Sequence, residues 1–93
     1  MDLDKYPMVR VTWYDAQEGE TGWLDIEMCI NTPLAVCQTV GWLVENNDKK
    51  LTLMTTVGKS EEDSDVTQGG GCTSIPQDWA TNIEYLYPEA KKI

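Results

Sequence analysis

The sequence predicts a mainly β protein, built on a strongly bent five-stranded antiparallel sheet or small barrel with one short helix. Short segments of alternating apolar and polar residues recur along the chain, and they are rich in β-branched and aromatic residues. Turn-forming residues separate these segments. A length of 93 residues suits one small domain, so we treat residues 1–93 as a single domain with an ordered core over about residues 8–87.

The first predicted strand covers residues 8–15, MVRVTWYD, in which Val9, Val11 and Trp13 alternate with polar residues. A polar loop over residues 16–22 follows it and ends in glycine. This pattern is typical of a strand with one face in the core and one face in solvent.

Residues 23–31, WLDIEMCIN, predict a short helix. Thr21 is a candidate N-cap, and the negative charge of Asp25 lies near the positive N-terminal end of the helix dipole, where it is stabilising. Pro33 ends the helix. The predicted apolar face consists of Trp23, Ile26, Cys29 and Ile30.

A β-hairpin is predicted over residues 36–57. Its first strand, residues 36–46, has Gly41 at its centre, which indicates a bulge, a sharp bend or the close approach of another backbone. The tip, NNDK, supplies turn-forming residues, and residues 50–57, KLTLMTTV, alternate as the partner strand.

The C-terminal part begins with an acidic and glycine-rich segment, residues 58–71, which we expect to be a mobile, solvated loop. A short strand at residues 72–75, a turn at 76–79 and a last strand at 81–87 follow. The last strand carries apolar groups on both faces and has no obvious residue that would block pairing with another strand. Unprotected edge strands of this kind tend to pair with another subunit. Head-to-tail pairing of that kind gives a ring when it closes.

The composition argues against several functional classes. A net charge of −9 repels phosphate backbones and anionic membranes at long range, so nucleic-acid binding requires a local cation cluster or base stacking. The chain has no histidine, and we find no phosphate-binding loop and no EF-hand spacing. We therefore predict a protein that is not an enzyme and that holds no metal or cofactor.

The three cysteines, Cys29, Cys37 and Cys72, are odd in number and irregularly spaced. We expect them to be small apolar residues in or near the core. No signal peptide is visible, and no apolar run approaches the ~20 residues that span a bilayer. These features predict a cytoplasmic protein without membrane contact.

Two segments resemble the Sm-like (LSm) family of small ring-forming barrels. One is TVGWLVENNDKKLTL, residues 39–53, an apolar strand around Gly41 and Leu43 followed by a polar turn and a second strand. The other is IPQDWATNI, residues 75–83, across the turn between the last two strands. More narrowly, most of residues 8–87 look like the small Sm-like proteins of marine cyanophages, although the helix follows the first strand here and precedes it in the family.

The resemblance implies an SH3-like barrel of the Sm-like fold, a closed ring of about five to seven subunits and a location in the cytoplasm of an infected host cell. It also implies that the two motif turns converge near the pore. The residues predicted to contact nucleic acid there are Asn46, Asn47, Lys49, Lys50 and Gln77. The family's Met-Asn and Arg-Gly pairs are absent from these turns, so the uridine-binding pattern does not transfer residue by residue.

Two interpretations of the lysines remain open. In the first, Lys49 and Lys50 form a positive collar that contacts phosphates at short range. In the second, they belong to an ordinary solvated turn and pair with Asp48, Glu45 or the acidic loop, each exposed pair contributing ~0–1 kcal/mol.

The predicted function is that of a non-enzymatic Sm-like ring protein of phage origin, with a role in binding or processing RNA or single-stranded DNA. The alternatives are an acidic scaffold that engages a host or virion protein without nucleic acid, and an acidic decoy that presents carboxylates in place of phosphates. The predicted oligomer interface consists of Cys72, Ile75, Ile83, Tyr85, Leu86 and Tyr87.

Overall fold

A computed structural model describes residues 5–86. In chain order, the elements are β1 (Met8–Asp15), α1 (Ile26–Ile30), β2 (Ala35–Asn46), β3 (Lys50–Met54), β4 (Thr56–Gly58), β5 (Gln68–Gly70), β6 (Thr73–Pro76), a 3-10 helix (Gln77–Trp79) and β7 (Ala80–Leu86). Five strands form one antiparallel sheet in the order β6-β3-β2-β1-β7, and β4 pairs with β5 in a second, two-stranded sheet. The predicted mainly β class, with a five-stranded antiparallel sheet and one short helix, is confirmed.

The sheet does not close into a barrel. Within residues 5–86, β6 and β7 are the two edges of the sheet and do not pair with each other. The 3-10 helix joins them along the chain, because it runs from the end of β6 to the start of β7. The edge strands therefore expose backbone groups that a neighbouring chain can bond.

The core follows from the alternation in the strands. In β1, Val9 and Val11 are fully buried, whereas Arg10 and Thr12 are only partly buried and alternate with them. The buried cluster consists of Val9, Val11, Leu43, Leu51, Leu53 and Ile75. Burial of each such side chain contributes roughly 1.5–3 kcal/mol, so this one cluster holds the bent sheet together.

Gly41 permits a close approach of two strands. A Cβ atom at this position would lie 2.6 Å from the carbonyl oxygen of Met54. Of the three possibilities predicted for this glycine, the close approach of another backbone is the one that the structure shows. The irregularity in the pairing of β2 with β3 lies further along, between Leu43 and Glu45.

The segment after β3 differs from the prediction. The expected strand over residues 50–57 is interrupted at Thr55, and its end belongs to β4. Part of the expected loop, residues 58–71, is the strand β5, which pairs with β4. Gly69 packs closely on Met54, because a Cβ at Gly69 would overlap the sulfur of that side chain. Two of the three residues of β5 are glycine, so the strand has no alternation of apolar and polar side chains. Its sequence therefore does not predict a strand.

Gly71 ends β5 in the left-handed region, with φ of 61°, and a Cβ there would overlap the hydroxyl of Thr55. We expect Gly71→Ala to lower the free energy of unfolding by about 1–2 kcal/mol, because an L-residue is strained in this conformation. The matched control is Gly70→Ala, whose Cβ would make an ordinary contact of 3.8 Å with Thr56. Urea denaturation of both variants checks this, and equal losses would contradict it.

The helix is shorter than predicted, and its cap differs. It covers Ile26–Ile30 within the predicted residues 23–31, and Asp25, not Thr21, is the N-cap residue. None of its side chains is buried, so the predicted apolar face is not packed on the sheet.

The expected burial of the cysteines is wrong for two of the three. Cys29 lies on α1, which does not contact the core, and Cys72 lies in the turn between β5 and β6, so both are exposed. Cys37, on β2, is half-buried.

Candidate nucleic-acid interface

The two turns that the sequence analysis singled out meet in the structure. The side-chain Nε2 of Gln77 donates hydrogen bonds to Asn46 Oδ1 (2.8 Å) and to the carbonyl oxygen of Asn47 (2.7 Å). The backbone N–H of Gln77 donates to the carbonyl oxygen of Lys49 (3.0 Å). Asn46, Asn47, Lys49, Lys50 and Gln77 thus form one continuous surface, which we call the two-turn surface.

Asn47 builds the tip of the β2–β3 hairpin. Its Oδ1 accepts hydrogen bonds from the backbone N–H groups of Lys49 (2.9 Å) and Lys50 (3.0 Å), as Asn side chains do in tight turns. Its Nδ2 donates to Glu45 Oε1 (2.8 Å). The Asn47 amide is therefore occupied in shaping the turn, and Gln77 Nε2 is occupied in tying the second turn to the first. Both donors of Gln77 Nε2 are used within the chain, whereas Asn47 Nδ2 keeps one N–H that bonds no group among residues 5–86.

The lysine side chains are placed differently. Within residues 5–86, the ion pairs are Lys5 with Asp65 (2.9 Å) and Arg10 with Glu84 (2.7 Å). Neither Lys49 nor Lys50 forms an ion pair in this part of the chain, and both residues are exposed. The expected pairing with Asp48, Glu45 or the acidic segment is thus not seen among these residues, and both ammonium groups project into solvent.

The two-turn surface is close to neutral over its whole extent. Glu45 and Asp48 lie in the same turn as the two lysines, and Asp78 follows Gln77 in the second turn, so three carboxylates are near two ammonium groups. The lysines consequently create a positive potential only within a few ångströms of their own Nζ atoms, since the Debye length is ≈ 8 Å at physiological salt. An anion must touch them to be attracted.

Acidic residues dominate the β4–β5 hairpin instead. Its tip carries Glu61, Glu62, Asp63 and Asp65, all exposed. The hydrogen bond from Lys5 lowers the pKa of the Asp65 carboxyl and raises the pKa of the Lys5 ammonium. The other three carboxylates form no ion pair within residues 5–86.

An exposed aromatic residue lies beside the two-turn surface in sequence. Trp79 is on the same 3-10 helix as Gln77, and its ring is 43 % exposed. One of its faces stacks on Trp13, with ring centroids 6.4 Å apart. Trp13 is fixed in turn, because its Nε1 donates to Thr39 Oγ1 (3.0 Å). Stacking on an exposed ring is a common way to bind a base, and the sequence alone did not show which tryptophan is exposed.

The edge β6 presents few donors. In antiparallel pairing, alternate residues turn their N–H and C=O groups towards the partner strand. The register of β3 with β6, together with the bond from Gln77 N–H to Lys49, directs the backbone of Ile75 towards β3 and that of Ser74 and Pro76 outward. Because proline has no N–H, Ser74 supplies the outward donor in the second half of β6.

The edge β7 presents more donors than β6 does, because it contains no proline. The bond from Leu43 N–H to the carbonyl oxygen of Pro7 fixes which residues of β1 face β2, and hence which face β7. Ile83 and Tyr85 then direct their backbone groups to the open side of β7.

The residues of the predicted oligomer interface fall in several environments. The side chain of Ile75 is 1 % exposed and lies in the core of its own chain. Ile83 and Leu86 are half-buried, whereas Tyr85 and Cys72 are exposed. Tyr87 lies outside the described residues.

No three acidic or cysteine side chains between residues 5 and 86 come close enough together to hold a metal ion. In the same part of the chain, no helix has the length and apolar character needed to cross a membrane. Comparison of the sequence and structure with models of known protein families, curated proteins and solved structures gives no match.

Proposed function

We propose that this chain is a non-enzymatic, ring-forming Sm-like protein, similar to those of phages, that binds single-stranded RNA or DNA through the two-turn surface. The observation that supports this best is the hydrogen-bonded contact between the two turns. It brings together on one exposed surface two lysines that form no ion pair within residues 5–86. In a ring, every subunit repeats this surface, so weak contacts add together.

The chemistry of the surface suits short-range recognition. Lys49 and Lys50 each offer an ammonium group to a phosphate oxygen, which positions a strand without reading its sequence. The Nδ2 of Asn46 and the Oε1 of Gln77 point to no partner among residues 5–86 and offer one donor and one acceptor to a base or sugar. Trp79 adds an aromatic face for stacking. Because the chain carries a net charge of −9, such binding is weak and sensitive to salt.

The double variant Lys49→Ala/Lys50→Ala is expected to reduce the affinity for a fluorescein-labelled ten-nucleotide oligouridine at least tenfold, because it removes the phosphate contacts. The measurement is fluorescence anisotropy in 50 mM salt, repeated with oligothymidine DNA to distinguish RNA from DNA as the ligand. Wild-type affinity should fall with salt, and the variant should show a shallower slope.

The matched control is Lys5→Ala/Lys59→Ala. It makes the same change in net charge, but it removes cations that are bonded to Asp65 and to the carbonyl oxygen of Asp63. It should bind as the wild type does. Equal losses in both double variants would attribute binding to overall charge and contradict a specific role for the two-turn surface.

A protein scaffold is the second candidate, and the exposed carboxylates of the β4–β5 hairpin favour it. Glu61, Glu62 and Asp63 suit a cationic patch on a host or virion protein. Failure of the wild type to bind either oligonucleotide, even at low salt, would favour this scaffold over nucleic-acid binding.

A further inference from the structure

The first half of β2 has an open backbone edge. The register with β1 turns the backbone groups of residues 35, 37, 39 and 41 towards β1, so those of Val36, Gln38 and Val40 face the other side. β3 covers that side only from Trp42 onward. Within residues 5–86, no strand pairs with Val36, Gln38 and Val40 on this side, and none of their backbone groups has a hydrogen-bond partner there.

This edge is apolar. Val36 and Val40 are 64 % and 50 % exposed, which is high for valines in a long strand. Long apolar edges of this kind are normally covered or blocked by charge or proline. Here neither charge nor proline lies between Val36 and Val40.

The segment before the strand adds to the same apolar surface. We call residues 23–34 the apolar arm. Its side chain Trp23 is 103 % exposed, and the others, Ile26, Met28, Ile30 and Leu34, are between 53 % and 77 % exposed. Ile26 and Ile30 lie one helical turn apart on α1 and face the same way. Leu34 directly precedes β2, so the arm is attached to the chain at the start of this open edge.

We propose that two copies of this chain pair through this surface, with the first halves of their β2 strands antiparallel about a two-fold axis near Gln38 and with each apolar arm covering the other copy's edge. The register places Val36 of one copy opposite Val40 of the other. All the backbone groups that face outward at Val36, Gln38 and Val40 then become bonded. Such a two-fold contact needs no second complementary surface, because one edge matches itself.

The extent of the surface supports a second copy as the partner. The arm and the two valines supply seven large apolar side chains that are each at least half exposed. A standard interface takes about 800 Å² from each partner, and a set of side chains of this number and size can supply an area of that order. Among the described residues, only seven hydrophobic side chains are buried, whereas ten large ones are exposed. A core this small needs its apolar surface covered whenever the chain folds, and another copy is the one partner always present.

Charge distinguishes this pairing from binding to another protein. No lysine or arginine lies between residues 11 and 48, and Asp25 and Glu27 flank the apolar side chains of the arm. Two copies therefore repel each other through their carboxylates while their apolar groups attract. Self-pairing should strengthen as salt rises, whereas docking on a cationic partner should weaken.

Hydrogen exchange of the wild-type protein, followed residue by residue by NMR, tests the edge directly. The amides of Val36, Gln38 and Val40 should be protected at least tenfold at high protein concentration and lose this protection on dilution. If these amides stay unprotected at millimolar protein concentration, two copies do not pair through this edge and the proposal is overturned.

Sedimentation equilibrium of Ile26→Asp/Ile30→Asp tests the arm. The variant should raise the dissociation constant of the two-fold contact at least tenfold, because a charged arm cannot cover the edge. Ser60→Asp/Thr67→Asp adds the same two charges at exposed positions of the β4–β5 hairpin and should associate as the wild type does. An arm variant with the wild-type dissociation constant would overturn the proposal.

The two-fold contact is independent of the ring under Proposed function, because it uses the edge of β2 and not those of β6 and β7. The ring predicts protection of the Ser74, Ile83 and Tyr85 amides, and the two-fold contact predicts protection of the Val36, Gln38 and Val40 amides. One exchange experiment therefore reports on each separately.

Discussion

Gly41→Ala is expected to lower the free energy of unfolding by about 2–3 kcal/mol, in the upper range for an overpacked core. The added Cβ would lie 2.6 Å from the carbonyl oxygen of Met54 and 3.2 Å from its carbonyl carbon. Backbone atoms cannot rotate away as a side chain can, so the strands must separate. Since Trp42 pairs with Met54 next to this point, the separation disturbs the ladder between β2 and β3.

Gly58→Ala is the matched control for this change. Nothing lies within 4 Å of a Cβ at Gly58, and its φ is not positive. This variant should be neutral, or more stable by up to ~1 kcal/mol, because alanine restricts the unfolded chain. Both variants are compared in urea at one protein concentration. A Gly41→Ala protein as stable as Gly58→Ala would mean that the close approach of β2 and β3 is absent in solution.

The strands that the sequence predicted well have a strong two-residue period. β1 has the predicted bounds, Met8–Asp15, because Val9 and Val11 alternate with polar residues over its whole length. β2 is predicted to within one residue. In both strands one face is more buried than the other over much of the length. This difference in burial requires apolar and polar residues to alternate, and the alternation is what the sequence shows.

The elements that the sequence did not reveal have no such period. β5 consists of Gln68–Gly70, and two of its three residues are glycine. A helix with one apolar face was predicted over residues 23–31, yet α1 covers only Ile26–Ile30 and none of its residues is buried. A periodic apolar face indicates that the apolar side chains of a segment are covered in the functional protein. It does not indicate whether the surface that covers them belongs to the same chain or to another one.

The contact between the two turns was predicted, but the hydrogen bonds that join them were not. The resemblance to Sm-like proteins placed Asn46, Asn47 and Gln77 together, and these residues are in contact. Their roles as base readers came from residue type alone. Asn47 and the amide nitrogen of Gln77 are instead used to join the two turns, which a sequence cannot show because it depends on which hydrogen-bond partner is nearer. The lysines remain the groups best placed to meet a ligand.

Ser74→Pro is expected to abolish the proposed ring, leaving particles no larger than a dimer in light scattering. At a protein concentration too low for the two-fold contact of β2, wild-type protein should have the mass of a closed oligomer of about five to seven subunits. The reason is the direction of the β6 backbone, since the N–H of Ser74 points away from β3 to the open edge. Pro76 already occupies the next outward position, so a second proline removes the remaining outward N–H of Ser74–Pro76 without breaking a backbone hydrogen bond to β3.

Ser74→Ala separates the backbone from the side chain. It removes the hydroxyl that bonds Thr52 Oγ1 (2.8 Å) but keeps the outward N–H, so its mass should equal that of the wild type. Circular dichroism of both variants shows whether the subunit still folds. We expect both to fold, because β6 is an edge strand of the sheet. A folded Ser74→Pro protein that keeps the wild-type mass would rule out β6 as the joining edge. A monomeric or dimeric wild type would remove the ring itself, and any oligonucleotide binding would then come from isolated two-turn surfaces whose weak contacts do not add together.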